Sequence, residues 1–91
     1  MDYVFLNKRT VKSREDLYRC FAQGFGFPPH FGANLDALHD CLTEGNEKRI
    51  VVISDKKYLE ETLGATYKGL CRVLDDAKKE SPSLKVFGIS I

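Results

Sequence analysis

Three short apolar, β-favouring runs stand near the start, the middle and the end of this chain, and the stretches between them carry helical periodicity. The runs are Tyr3-Val4-Phe5-Leu6, Ile50-Val51-Val52-Ile53 and Leu84 to Ile91. Strands that alternate with helical segments favour parallel pairing, because parallel neighbours must be joined by a long crossover. The alternation therefore predicts an α/β fold with a small three-stranded parallel sheet, joined by right-handed crossovers and covered by helices. The order is strand, two helices, strand, two helices, strand. At 91 residues the chain allows one domain spanning 1–91, with hydrophobic residues at 43%, a globular proportion. Three strands are few, so the helices must supply much of the core.

The local signals place each element. Ser13 can cap a first helix, with Asp16 at its third position facing the positive end of the dipole. Leu17, Cys20, Phe21 and Gly24 recur at i, i+3, i+4 and i+7, so this helix has one apolar face. Gly24, Gly26, Pro28 and Pro29 are expected to stop it. Asn34 is the expected cap of a second helix ending near Gly45, and Asp55 of a short one through Leu63. A longer helix from Ala65 to Lys79 places Tyr67, Leu70, Cys71, Leu74 and Ala77 on one side, before Pro82.

Charge and composition exclude several classes of function. Fourteen basic residues against thirteen acidic leave a net charge of +1, which argues against direct binding to a nucleic-acid backbone. No apolar run exceeds four residues, so no membrane span is expected. Residues 1–7 lack the basic-then-apolar layout of a secretory signal. Cys20, Cys41 and Cys71 are an odd set at wide spacing, a poor disulfide framework with no metal-clasp pattern. They are expected to be reduced and mostly buried, which points to the cytoplasm. No metal or cofactor is expected. Eight residues separate His30 from His39, which fits no common ligand spacing, and Gly24-Phe25-Gly26 is only half of a phosphate-binding loop, with Pro29 where a third glycine should stand.

One segment stands out from Gly32 to Thr43. Around a helix, Leu35, Leu38, Cys41 and Leu42 cluster on one side, while Asp36 and Asp40 point nearly opposite. Two aspartates four apart are neighbours on that outer face, and like charges so placed cost an isolated helix about 0.2–0.5 kcal/mol. A solvated acidic face is the plain account. The sharper one is a negatively charged recognition surface, with His30 and Phe31 beside it as flat contact groups, suited to a partner whose own site is cationic.

The run Phe31-Gly32-Ala33-Asn34-Leu35-Asp36-Ala37-Leu38-His39-Asp40-Cys41-Leu42-Thr43 closely resembles the signature helix of the barstar family, intracellular inhibitors of the ribonuclease barnase. The family pattern is an aromatic residue, Gly, any residue, Asn-Leu-Asp-Ala-Leu, usually Trp, then Asp-Cys-Leu-Thr. Val73 to Glu80 looks like the family's last helix. The resemblance implies that helix-borne carboxylates plug the active site of a basic-site nuclease, a ribonuclease, where substrate phosphates would sit. It implies that Asp40 is the central plug, Asp36 a neighbouring acid, Asn34 a polar contact at the helix start, and Asp76 and Glu80 peripheral acids. His30 and Phe31 stand where the family carries two tyrosines, and His39 where it usually has tryptophan. Glu44, in place of a glycine, alters the rim. Arg72 and Asp76 are four apart and could pair, which would blunt that acid.

Two other readings compete. A protein-interaction module on the same scaffold, with a non-nuclease partner, would keep the leucines and owe nothing to Asp40. An enzyme using Asp36, His39 or Asp40 as acid–base groups lacks an identifiable nucleophile, and adjacent helical residues diverge by about 100°.

Overall fold

The computed structural model describes residues 2–28, 31–44 and 47–88. Its elements follow the expected order: β1 (Asp2–Leu6), α1 (Arg14–Phe25), α2 (Leu35–Thr43), β2 (Arg49–Ile53), α3 (Lys56–Leu63), α4 (Ala65–Glu80) and β3 (Leu84–Gly88). The three strands form one parallel sheet in the order β1-β2-β3. Val4 stands opposite Val51, and Val51 opposite Val86.

Side chains alternate across the strands and so divide the sheet into two unlike faces. Val4, Leu6, Val51, Ile53 and Leu84 point into a core shared with Leu17 and Phe21 of α1, Leu38 and Leu42 of α2, Leu59 of α3, and Leu70 and Leu74 of α4. Each fully buried leucine contributes roughly 1.5–3 kcal/mol, and here most of them come from helices. Tyr3, Phe5 and Phe87, on the opposite face, remain 49%, 52% and 53% exposed. Parallel sheets are usually covered on both sides; among the described residues the helices of this one pack on the face of Val4 and Val51.

Several local expectations are revised. Gly24 does not end α1. It lies inside the helix, where a Cβ would come 2.5 Å from Val4 Cγ2 and 2.9 Å from the Tyr3 carbonyl, so its missing side chain lets α1 rest directly on β1. Gly26 ends the helix instead, at φ 66° in the left-handed region that glycine adopts without steric cost. Asp55 is also left-handed, at φ 55°, and its side chain caps nothing in α3. Its Oδ2 accepts the backbone N–H of Lys8, tying the loop after β1 to the end of β2. Helix α2 ends at Thr43, with Glu44 in extended backbone, and the expected stop at Gly45 lies outside the described residues, as does the strand beyond Gly88. Cys20, Cys41 and Cys71 are free thiols but only half buried, because each sits at the border of its helix's apolar face.

Candidate protein-binding surface

The surface is built outward from the start of α2. Asn34 has extended backbone, and its Oδ1 accepts the Ala37 N–H at 2.8 Å, closing the first turn. Its Nδ2 donates to the Gly32 carbonyl at 3.3 Å, fixing the approach from the preceding loop. Between them Ala33 is held at φ 50°, a conformation costing an L-residue roughly 1–2 kcal/mol. Asn34 thus sets the axis of α2 with its own side chain while remaining exposed.

Leu38 and Leu42 anchor α2 in the core, with Leu35 half buried beside them. That anchoring turns Asp36 and Asp40 outward, and both are exposed. The Asp40 side chain is 79% accessible. Among the described residues neither aspartate pairs with a lysine or arginine, and His39 Nδ1 lies 3.9 Å from Asp40 Oδ1.

His39 lies between two helices. Its Nε2 is 2.9 Å from Oε2 of Glu80, so α2 and α4 are joined across the face they share. Asp76, one turn before Glu80, is exposed. The expected Arg72–Asp76 pair does not form; among the described residues the ion pair in this part of α4 is Lys78 with Asp75, at 3.6 Å. Glu44 is exposed beyond the end of α2. Phe31 is half buried, with its ring 5.1 Å from that of Phe27 and edge-on to Tyr18 at 6.2 Å. The structure therefore brings Phe31, Asn34, Asp36, His39, Asp40 and Glu44 into one continuous segment and sets Glu80 against it. His30 lies outside the described residues.

Two supporting roles were not read from the sequence. Gly69 on α4 faces Leu35, and a Cβ there would lie 2.5 Å from Leu35 Cδ1, so the glycine sets how closely α2 and α4 approach. Arg49, at the start of β2, folds its guanidinium into the protein. Its Nη1 donates to the Cys41 carbonyl at 2.7 Å, near the negative end of α2, and its Cζ sits 5.6 Å from the ring centres of both Phe25 and Phe27. Nε has no hydrogen-bond partner among the described residues, and Glu47 approaches Nη2 at 3.6 Å. The sequence signal was a cation immediately before a buried-type strand.

Two of the three thiols, Cys20 and Cys41, are held toward the protonated form. Burial pushes the Cys41 thiol up, Glu44 adds to the effect, and Arg49 opposes it. Burial likewise raises Cys20, whose Sγ lies 3.5 Å from the Thr10 carbonyl. Among the described residues no three His, Cys, Asp or Glu side chains are arranged to hold a metal ion. No helix among them is long and apolar enough to cross a membrane.

The profile of the Barstar (barnase inhibitor) family matches residues 1–88, and the chain belongs to that family. It is similar to a Bacillus subtilis (strain 168) protein named "Putative ribonuclease inhibitor YrdF". The two are 27% identical over 81 residues, which cover 88% of this chain and 89% of that protein.

Proposed function

We propose that this chain is a protein inhibitor of a ribonuclease, acting as one barstar-like unit, with the carboxylates of α2 taking the places of substrate phosphates in a cationic active site. The observation that carries this reading is the presentation of Asp36 and Asp40: one helical turn apart, exposed, and without a lysine or arginine of their own chain among the described residues. Anions held ready on a rigid helix need little reorganisation to meet a cationic cleft. Asn34 fixes the helix start, while His39 and Glu80 extend the contact to α4. Phe31 and Glu44 border it, and Asp76 lies at its periphery.

The role is that of a plug and not of an enzyme. Two thiols are raised by burial, and His39 is engaged with Glu80. The test is an RNA-cleavage assay on a panel of small basic ribonucleases, barnase and those of the native host included. Loss of cleavage at one inhibitor per enzyme supports the reading. Undiminished cleavage across the panel overturns it and leaves a partner of another kind.

A further inference from the structure

Beside the acidic ridge lies a feature of opposite character. Between α1 and the segment entering α2 is an open cavity of about 650 Å³, lined by Arg14, Glu15, Tyr18, Arg19, Phe31 and Asn34 among others. Phe31 and Asn34 therefore belong both to this cavity and to the candidate binding surface. Tyr18 is 6% exposed, its ring fixed edge-on against Phe31. Its hydroxyl has no hydrogen-bond partner among the described residues and is not sealed from solvent, so it opens onto the cavity that it lines. Burial pushes this phenol up, with Arg14 partly opposing, so it stays a protonated donor.

The charges around the opening fall into two rows on α1. Glu15 and Arg19 are four apart, a spacing at which opposite charges attract, and Arg19 also donates to Asp16 Oδ1 at 2.6 Å. Arg14 stands in the row with Tyr18, one turn before it, and makes no ion pair among the described residues. The opening thus offers an unpaired guanidinium and an unpartnered hydroxyl over an aromatic wall.

We propose that this cavity receives an acidic side chain of the same partner that the α2 carboxylates engage. Arg14 and the Tyr18 hydroxyl take its carboxylate, and Phe31 packs on its aliphatic stem. This rests on the inhibitor reading and deepens it: the binding face is bipolar, and a cation beside an acidic ridge fixes the partner's register as a uniformly acidic face would not.

The sign of one substitution decides the matter. If the cavity meets only a basic ribonuclease, Arg14 is a like charge facing it, and Arg14→Gln speeds association. If it meets a carboxylate, Arg14→Gln weakens the complex. Loss of a cation from the positive end of α1 does not weaken the helix, and Tyr18→Phe keeps the buried ring, so neither variant should change urea unfolding. Kinetics by surface plasmon resonance are measured for wild type, Arg14→Gln, Tyr18→Phe and Asp40→Ala against the ribonuclease panel. The expected result is about tenfold weaker binding for each α1 variant, mainly through faster dissociation, and a larger loss for Asp40→Ala. Unchanged or tighter binding of both α1 variants, with Asp40→Ala still impaired, overturns the cavity proposal and leaves the inhibitor reading standing. Binding indifferent to all three variants, or no binding to any ribonuclease, overturns both.

Discussion

His39 Nε2 and Glu80 Oε2 meet at 2.9 Å and join α2 to α4 across their shared face. The Glu80 side chain is 58% exposed, and accessible ion pairs gain little in water. A double-mutant cycle of His39→Ala and Glu80→Ala in urea unfolding should give a coupling of about 0.2–1 kcal/mol. A coupling of several kcal/mol would show that the contact carries the helix packing itself.

Asp40, more exposed and without a close cation, should matter most for binding. Charge pairs across the barnase–barstar interface are themselves the measured example for this family, coupling by roughly 1.5–7 kcal/mol. Asp40→Ala should therefore weaken the complex with the target ribonuclease by several kcal/mol in isothermal titration, with the melting temperature nearly unchanged. Glu80→Gln should cost less, because Glu80 already has a partner within the chain.

Association should slow steeply with added salt, since steering by opposite charges acts over about 10 Å at 0.1 M ionic strength. Stopped-flow rates that stay level between low and high salt would contradict an electrostatic plug.

The two close-approach glycines should differ in sensitivity. At Gly69 an added methyl group meets the flexible end of Leu35, and alanine's better helix propensity offsets part of the crowding. Gly69→Ala should cost about 1–2 kcal/mol. At Gly24 the obstacle includes the Tyr3 carbonyl, which belongs to a paired strand. Gly24→Ala should cost more, in the upper part of the roughly 1–3 kcal/mol range for overpacking or beyond. Equal losses in urea unfolding would refute the distinction.

Burial, with Cys71 beside it, pushes the Tyr67 phenol up to about 12. A group that binds its proton more tightly when folded stabilises the fold below its unfolded value, near 10, and that contribution disappears as pH rises toward 12. Stability should fall across this window. Ultraviolet titration should show Tyr67 ionising late among the four tyrosines, and in Tyr67→Phe the fall should shrink.

The succession of strands and helices along the chain and the outward turn of Asp36 and Asp40 were legible because they depend on periodicity, which the residues carry locally. Asn34 was legible as a cap for the same reason. Gly24 was not: a glycine near prolines reads as a stop, and only the position of β1 shows that it is needed for close packing. Asp55 resembled a cap until its left-handed backbone turned the carboxylate toward Lys8. Arg49 reaches Cys41 from eight residues away, and Tyr18 meets Phe31 across a loop. Such contacts belong to the tertiary arrangement, so the cationic cavity and the strut beneath α2 emerged only with the fold.

The narrow gap at Gly69 governs more than packing. Since Leu35 shares a helix with Asp36 and Asp40, while Gly69 shares one with Asp76 and Glu80, a single methyl group at that position would alter the spacing between two sets of acids. On the inhibitor reading, selectivity among targets is thereby open to drift through a residue beneath the proposed contact surface, with every charged side chain on that surface left as it was.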